Sequence, residues 1–299
     1  MEASSEANIS PLKRSWDSML ILDACRYDYF ERIHGEYLRG NLEKHISPAT
    51  CTPDYLNKVF TDVYDDIVYV SANPFVTNRL VSRVHFDASQ HFHRVVEVWR
   101  DGWDENLGTV PPKAVNEAAI EAAKKFPDKR LIVHYQQPHY PYVCLGNSVI
   151  RKKINHRLTW FIRLRIVSLF GWKIGNQIAA RIAPNDEEFV ARKVGIDGLR
   201  NAYEQNVRLV LDYAAKLVGE LGGNIIVTSD HGELLGEEGL CGHPCGLRYS
   251  KLVEVPWLEV SGPKKNLGGF PTKIEEIRDG ALPKEEEQLI QQRLSVLGY

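Results

Sequence analysis

The sequence predicts an α/β fold in which a mostly parallel sheet is sandwiched between helices. Four short apolar runs each end at polar residues, a pattern typical of buried parallel strands. Segments in which apolar residues recur at helical spacing lie between these runs. Alternating strands and helices favour a parallel sheet covered on both faces. We expect the 299 residues to form one domain of this kind.

The predicted strands cover residues 18–22, 66–70, 130–133 and 224–228. The clearest helices are 113–125, which is rich in alanine, and 202–221, which has one apolar face and ends before two glycines. Ligands of open parallel sheets bind beyond the carboxyl ends of the strands. We therefore expect the functional residues to follow the four strands directly.

Two stretches do not fit this alternation. Residues from about 145 to 195 are basic and aromatic, and we expect them to form an insertion. Residues from about 262 to 299 are polar, and we expect them to pack as a peripheral helix. Between 157 and 182, basic residues interrupt aromatic and aliphatic ones, as in helices that lie on membranes. A peripheral membrane contact and a lid helix packed on the sheet both fit this pattern.

The composition argues against several classes of protein. There are 37 Lys and Arg against 39 Asp and Glu, so the charge gives no reason to expect a nucleic-acid partner. The N-terminal segment lacks the apolar core of a secretory signal, and no apolar run is long enough to span a membrane. Five cysteines without a CxxC pair do not suggest disulfides, so we expect a cytoplasmic protein. Cys241 and Cys245 on either side of His243 suggest zinc as an alternative.

Carboxylates and a histidine follow the first and last predicted strands. Asp23 follows the first strand, and Asp230 and His231 follow the last, just before Gly232, which permits an irregular turn. A partly buried carboxylate needs a cation or several donors. Asp with His suits zinc, manganese or another divalent ion. A helix cap for Asp23 and purely structural roles for the other two residues are the alternatives.

Other polar residues near the strand ends could contact an anionic substrate. His134 and His139 lie in HYQQPHYPY after the third strand, His243 lies in LCGHPCG, and Arg26 follows the first strand. Histidines near a metal can bind an anion or donate a proton to a leaving group. Ordinary polar loop residues are the alternative for each of them.

The segment SPATCTPDYL offers Thr50, Cys51 and Thr52 as nucleophiles in front of a predicted helix. A nucleophile there gains from the helix dipole and the free amides, which also hold an anionic ester. The alternative is that Thr52 caps a helix whose first residue is Pro53.

Together and in this order, these clusters resemble the sulfatase-like branch of the alkaline phosphatase superfamily. LDACRYD is similar to the metal aspartate of the family's first strand, SDHGELLGE to its metal-binding segment, and HYQQPHYPY to its substrate-contacting histidine loop. The resemblance covers residues 18–244. It implies a parallel sheet between helices, forming a single sulfatase-like catalytic domain over residues 1–299.

The resemblance also implies an activity: a metal-dependent hydrolase or transferase of phosphate or sulfate esters that works through a covalent intermediate. It implies that a divalent ion (Zn, Mn, Mg or Ca) is held by Asp23, Asp230, His231 and the nucleophile Thr52. His139 and His243 would contact the ester oxygens or the leaving group, with Arg26 as a further candidate to offset charge. The substrate is an anionic ester, and a lipid-linked or glycan-linked one is a hypothesis suggested by the basic insertion.

One departure bears on the nucleophile. Sulfatases carry arginine two residues after the proline of their nucleophile motif, and Tyr55 stands there in this chain. We therefore do not expect a formylglycine, and we predict Thr52 as the nucleophile with Cys51 as the second candidate. We expect one metal ion, because residues 150–200 offer no convincing further ligand pair. A degenerate anion-binding protein of the same fold and a mutase-type phosphotransferase are the alternative functions.

Overall fold

The computed structural model describes residues 12, 14–78, 86–148, 156–171, 175, 178–179, 181–263, 267 and 284–298. Within them, the strands are β1 Ser18–Leu22, β2 Asn41–Ile46, β3 Tyr64–Ser71, β4 Phe92–Glu97, β5 Arg130–Tyr135, β6 Asn224–Thr228, β7 Leu234–Leu235, β8 Cys241–Gly242 and β9 Glu254–Ser261. The α-helices are α1 Tyr27–Ile33, α2 Thr52–Val59, α3 Val98–Asp101, α4 Pro112–Lys125, α5 His156–Phe170, α6 Asp186–Leu221, α7 Ser250–Val253 and α8 Lys284–Val296.

The main sheet of the described residues has the order β2-β9-β6-β1-β5-β3-β4. The five strands from β6 to β4 run parallel to their neighbours, and β9 joins β6 and β2 in antiparallel pairs. Helix α4 packs on β3, β5 and α6, and α1 packs on β9. The predicted mostly parallel sheet with flanking helices is therefore confirmed.

The apolar face predicted for the helix at 202–221 is buried in α6. That helix begins earlier than predicted, at Asp186, and bends at Gly195, where φ is 79°. Its first turn is fixed by a capping box: the Asn185 side chain accepts from the Glu188 amide, and the Glu188 side chain accepts from the Asn185 amide. Part of the predicted insertion is thus the start of a long core helix.

The rest of the predicted insertion and the tail contribute one described helix each. Helix α5 lies in the insertion, and α8 buries Ile290 and Leu294 in the core. The Arg293 guanidinium stacks on Trp103 at 4.3 Å and pairs with Glu105 at 2.5 Å. Other parts of 145–195 and 262–299 lie outside the described residues. Among the described helices, none is both long and apolar enough to span a bilayer.

The prediction that the cysteines stay unpaired is wrong for two of them. Cys51 and Cys245 form a disulfide with their Cα atoms 5.2 Å apart, although 194 positions separate them in the chain. Spacing in the sequence does not reveal such a pair, because only the fold brings the two loops together. The pairing also removes Cys245 from the zinc alternative. The cytoplasmic location stays a prediction.

Candidate active site

The candidate site lies at the carboxyl ends of four neighbouring parallel strands. In sheet order β6, β1, β5 and β3, these ends supply Asp230, Asp23, Gln136 and Asn73. Parallel strands end at the same edge of a sheet, so residues far apart in the chain meet there. The structure therefore brings together residues that the sequence pattern places after separate strands.

The four predicted metal ligands lie together and are buried. Thr52 Oγ1 donates to Asp230 Oδ2 at 2.8 Å and lies 3.3 Å from His231 Nε2. His231 Nε2 in turn lies 3.4 Å from Asp230 Oδ2 and 3.6 Å from Asp23 Oδ1. A hydroxyl, two carboxylates and an imidazole nitrogen thus converge on one point.

The environment of the Asp23 carboxylate fits a cation bound between these four side chains. Asn73 and Gln136 donate to its Oδ2 atom at 2.7 and 3.2 Å, whereas Oδ1 has no hydrogen-bond partner among the residues that the structure describes. Burial, and then the Asp230 carboxylate, raise the pKa of Asp23 well above its ordinary value. A buried carboxylate oxygen without a donor costs free energy, which a bound cation offsets. The residues present therefore fit a divalent ion.

His134 takes a different place from the one predicted for it. We predicted a substrate contact, but His134 lies inside β5 and is fully buried. Its Nδ1 atom is 3.0 Å from the Tyr69 hydroxyl, and Nε2 is 4.0 Å from both Asp23 Oδ2 and Asp230 Oδ2. Burial lowers the pKa of His134 to about 4, so the imidazole is neutral at pH 7, as a metal ligand must be. His134 therefore lies among the predicted metal ligands.

Asp230 and His231 are held by the backbone around them. The His231 Nδ1 atom donates to the Gly232 carbonyl at 2.8 Å, which leaves the Nε2 lone pair facing Thr52 and Asp23. Burial alone would raise the pKa of Asp230, but His231 and then His134 lower it below its ordinary value. The charged form of Asp230 is therefore favoured at neutral pH.

Gly232 is required for a reason that the sequence did not indicate. A Cβ atom at this position would lie 2.0 Å from the Lys251 carbonyl oxygen. The Gly232 amide donates to the Leu252 carbonyl at 2.8 Å, so the two chain segments are in direct backbone contact. Close approach of backbone, and not an irregular turn, explains the glycine after His231.

Thr52 is not the helix cap that the alternative interpretation suggested. Helix α2 begins at Thr52, with Cys51 at the N-cap position and no side-chain capping bond. The Thr52 hydroxyl instead points at Asp230. Thr50 donates to the Pro244 carbonyl at 3.0 Å and accepts from the Gly246 amide at 2.9 Å, so it holds the loop after β8.

Two predicted catalytic residues do not have the predicted roles. The Cys51 sulfur is bonded to Cys245 and offers no thiolate, so Cys51 is not available as a nucleophile. Arg26 pairs with Asp28 at 2.8 Å and with Glu237 at 2.7 Å. Because these carboxylates already neutralise its charge, Arg26 stabilises the surrounding structure and does not offset charge on a substrate.

His139 and His243 lie beside this cluster, as predicted. The His243 ring stacks on His231 with centroids 4.6 Å apart and meets the His139 ring at 4.8 Å. Two buried carboxylates that the sequence analysis missed, Glu187 and Glu233, adjoin them. Burial raises the pKa of Glu233 to about 8. Glu233 stood in the SDHGE segment and could have been found, whereas Glu187 lay in an acidic run inside the basic insertion.

Asn73 and Gln136 were also missed, although each follows a predicted strand. Asn73 lies two residues after β3, and Gln136 directly follows β5. The rule that functional residues follow the strands points to both. Asparagine and glutamine are uncharged, so their residue type does not point to a metal site. Only their position after a predicted strand could have indicated that they donate hydrogen bonds to Asp23.

No protein-family model and no curated protein matches the chain. Solved structures with a similar fold include the soluble domain of lipooligosaccharide phosphoethanolamine transferase A from Neisseria meningitidis, at 14% identity over 81% of this chain and 75% of that chain, with a TM-score of 0.49. The C-terminal periplasmic domain of EcEptC from Escherichia coli, in complex with Zn, matches at 12% identity over 85% and 75%, with a TM-score of 0.47. The phosphonate monoester hydrolase SpPMH from Silicibacter pomeroyi matches at 12% identity over 95% and 73%, with a TM-score of 0.44.

The sulfatase-like resemblance seen in the sequence stays a prediction. At these identities the likeness concerns the fold alone.

Proposed function

We propose that this protein is a metal-dependent hydrolase or transferase of phosphate esters that uses Thr52 as its nucleophile. The observation that carries the proposal is the buried contact of Thr52 Oγ1 with Asp230 Oδ2 at 2.8 Å and with His231 Nε2 at 3.3 Å. Phosphate is favoured over sulfate esters, because the formylglycine of sulfatases derives from a free cysteine and the Cys51 sulfur is bonded to Cys245.

The residues that would hold the ion are Asp23, Thr52, His134, Asp230 and His231. When bound, a divalent ion there would lower the pKa of the threonine hydroxyl and neutralise charge on the ester. Zinc and manganese suit carboxylate with imidazole.

Thr52 is oriented for attack before any ester binds. Its hydrogen bond to Asp230 fixes Oγ1 at the N-terminus of α2, where the helix dipole favours an anionic ester. The bond between Oγ1 and phosphorus forms while the bond from phosphorus to the leaving oxygen breaks. The proton that Thr52 gives up balances the one that the leaving oxygen takes. Water or an acceptor hydroxyl then removes the phosphoryl group from Thr52.

The test is turnover of p-nitrophenyl phosphate, phosphonate, diester and sulfate by metal-stripped protein, with zinc, manganese, magnesium or calcium added back. We expect metal-dependent turnover of phosphate esters in the wild type and in Thr52→Ser, and none in Thr52→Ala. The exposed Thr61→Ala is the matched control. Mass spectrometry of a quenched reaction should find the phosphoryl group on the peptide that contains Thr52.

Metal binding without turnover of any of these esters would overturn the use of Thr52 on such substrates. It would favour the degenerate anion-binding protein of the same fold. Preferred turnover of the sulfate ester would overturn the choice of phosphorus.

We further propose that the leaving group of the ester is lipid-linked and that α5 contacts an anionic membrane. The α5 sequence contains three arginines and no Asp or Glu. Phe161, Leu169 and Phe170 each expose more than half of their surface. Arg163 ties this helix to the start of α6, where it donates to Glu188 at 2.6 Å. Exposed apolar side chains with basic ones favour an anionic lipid surface.

Co-sedimentation with phosphatidylcholine vesicles, with and without phosphatidylglycerol, tests this contact. We expect retention on the anionic vesicles only, and its loss when Phe161 and Leu169 are both replaced by Glu. Val63→Glu is the control, because Val63 is an exposed apolar residue outside α5. No retention of the wild type on anionic vesicles would remove the membrane from the proposal.

A further inference from the structure

We infer that the disulfide between Cys51 and Cys245 is a redox-sensitive switch, which fixes the loop that carries His243 and releases this loop when the bond is reduced. Cys51 directly precedes Thr52, and Cys245 lies two residues after His243. The His243 ring stacks on the ring of His231, one of the predicted metal ligands. The bond therefore joins the segment of the proposed nucleophile to the loop on the other side of the site.

The two half-cystines differ in their access to solvent. Cys51 is 1% exposed at the start of α2, whereas Cys245 lies in the loop after β8 and is exposed. A thiolate from solution therefore reaches the sulfur of Cys245 more easily than that of Cys51. Disulfides with an exposed end are among those that are reduced readily and serve regulation.

The position of Cys51 favours its departure when Cys245 is attacked. Cys51 is the N-cap residue of α2, and its side chain makes no capping bond. The free amides and the dipole at a helix N-terminus stabilise a thiolate, and a stabilised thiolate leaves faster. Attack from solution and departure of the buried sulfur are thus matched to the two ends of the bond.

The reaction needs a dithiol as electron donor, either a small molecule or a reductant protein. Its first thiolate bonds to Cys245 Sγ while the bond between the two protein sulfurs breaks, and Cys51 Sγ leaves with the electron pair and takes up a proton. The second thiol of the donor then bonds to the first donor sulfur, and Cys245 Sγ leaves and is protonated. The protein gains two electrons and two protons, and the donor becomes a disulfide.

The other three cysteines are poor donors for an exchange within the chain. Burial, and then the Glu187 carboxylate, raise the pKa of the Cys241 thiol, although Cys241 lies only four residues before Cys245. Burial also raises the pKa of Cys25 and of Cys144. Thiols with a raised pKa carry little thiolate, which is the reactive form. The electrons therefore come from outside the protein.

Reduction leaves only weaker contacts of Thr50 with the loop. Thr50 donates to the Pro244 carbonyl and accepts from the Gly246 amide. Both loop residues are exposed, so water can replace these hydrogen bonds at little cost. The hydrogen bond of Thr52 to Asp230 does not involve the loop and stays intact.

The switch therefore acts on the position of His243 and leaves the nucleophile in place. A displacement of about 1 Å in a group beside the reacting atoms can slow an enzyme about 100-fold. We expect the oxidised protein to be the active form and the reduced protein to be folded but slow.

The first experiment follows the loop itself and does not depend on turnover. The full chain is equilibrated under native conditions with reduced or oxidised dithiothreitol. Alkylation with mass spectrometry counts the free thiols, and hydrogen exchange of the peptide 240–250 reports the opening of the loop. We expect the folded protein to be reduced at Cys51 and Cys245, with exchange in this peptide faster by about tenfold and an unchanged far-UV circular dichroism spectrum.

Two variants serve as controls. Cys144→Ser removes an exposed free thiol and should respond to the reductant as the wild type does. Cys245→Ser should exchange fast in both buffers. The comparison of reduced with reoxidised wild type carries the test, so its outcome does not depend on the folding of a variant.

The second experiment rests on the proposed function. The reduced protein is desalted under argon, so that the dithiol does not bind the metal, and is assayed with p-nitrophenyl phosphate and manganese. We expect turnover to fall about 10- to 100-fold on reduction and to return on reoxidation. Cys245→Ser should be slow and insensitive to the redox buffer.

Three results would overturn the switch: reduction only after the protein unfolds, reduction without faster exchange in the loop, and reduction that opens the loop without slowing a measured turnover. If the loop opens on reduction but the oxidised protein turns over no ester, the result contradicts only the proposed function.

Discussion

At the scale of single residues, the charged side chains around the site fall into two groups. One group consists of the predicted metal ligands, and the other forms ion pairs in the structure around them. Arg26 belongs to the second group, and its partner Asp28 is also bound by Lys251 at 2.7 Å. Burial alone would raise the pKa of Asp28, but Arg26 and then Lys251 lower it well below its ordinary value. Asp28 therefore contributes to stability in its charged form.

This predicts a pH-dependent effect of Asp28→Asn. Because the folded-state pKa lies well below the unfolded value of about 4, the stabilisation is fully present above that value and is lost as the pH falls through the folded-state pKa. We expect the variant to lose about 1 to 2 kcal/mol at pH 7, after discounting for the partial exposure of Asp28, and to lose clearly less than that at pH 2. Urea unfolding at both values measures this, with the exposed Asp128→Asn as control. Equal losses at both values would contradict the charge-based explanation.

A second residue-scale prediction concerns Gly232. Since a Cβ atom there would meet the Lys251 carbonyl at 2.0 Å, Gly232→Ala must push apart two backbone segments beside His231. We expect a loss of about 1 to 3 kcal/mol in unfolding free energy and weaker binding of the proposed divalent ion. Gly219→Ala on α6 is the control, because its Cβ would have open space and alanine favours a helix. Unchanged metal affinity in Gly232→Ala would show that the contact does not position His231.

At the scale of elements, the sequence best predicts the strands that are buried on both faces of the sheet. The strands Ser18–Leu22 and Asn224–Thr228 have the predicted bounds, because each has an apolar, buried run of residues between polar ones. The edge strand Asn41–Ile46 was missed, since its polar side chains are largely exposed and carry no hydrophobic signal. Glu187 was missed because an acidic residue in the first turn of a helix is ordinary in a sequence.

Helix α8 gives an element-scale prediction. Leu294 is fully buried against the core, so the C-terminal helix is anchored more firmly than a peripheral tail. We expect Leu294→Ala to cost about 2 to 5 kcal/mol, measured by chemical unfolding. Gln292→Ala, an exposed change on the same helix, should cost little. If the two variants were equally stable, α8 would not pack on the domain as described.

At the scale of the whole molecule, the site depends on joining loops that are far apart in the chain. The first residue of α2 is Thr52, and the loop after β8 begins with His243. Between them, the Cys51–Cys245 disulfide spans 194 positions, and Thr50 hydrogen-bonds to Pro244 and Gly246 in the same loop. The start of α2 and the loop after β8 are therefore linked covalently.

This linkage predicts that Cys245→Ser lowers the stability of the fold. A disulfide that closes so long a loop restricts the unfolded chain, and its removal costs about 2 to 5 kcal/mol. We expect dithiothreitol to reduce the unfolding free energy of the wild type to that of Cys245→Ser and to leave the variant unchanged. Cys144→Ser, which removes an exposed free thiol, should behave as the wild type does. If the reductant did not change the wild type, Cys51 and Cys245 would not be paired in solution, and Cys51 would again be a candidate nucleophile beside Thr52.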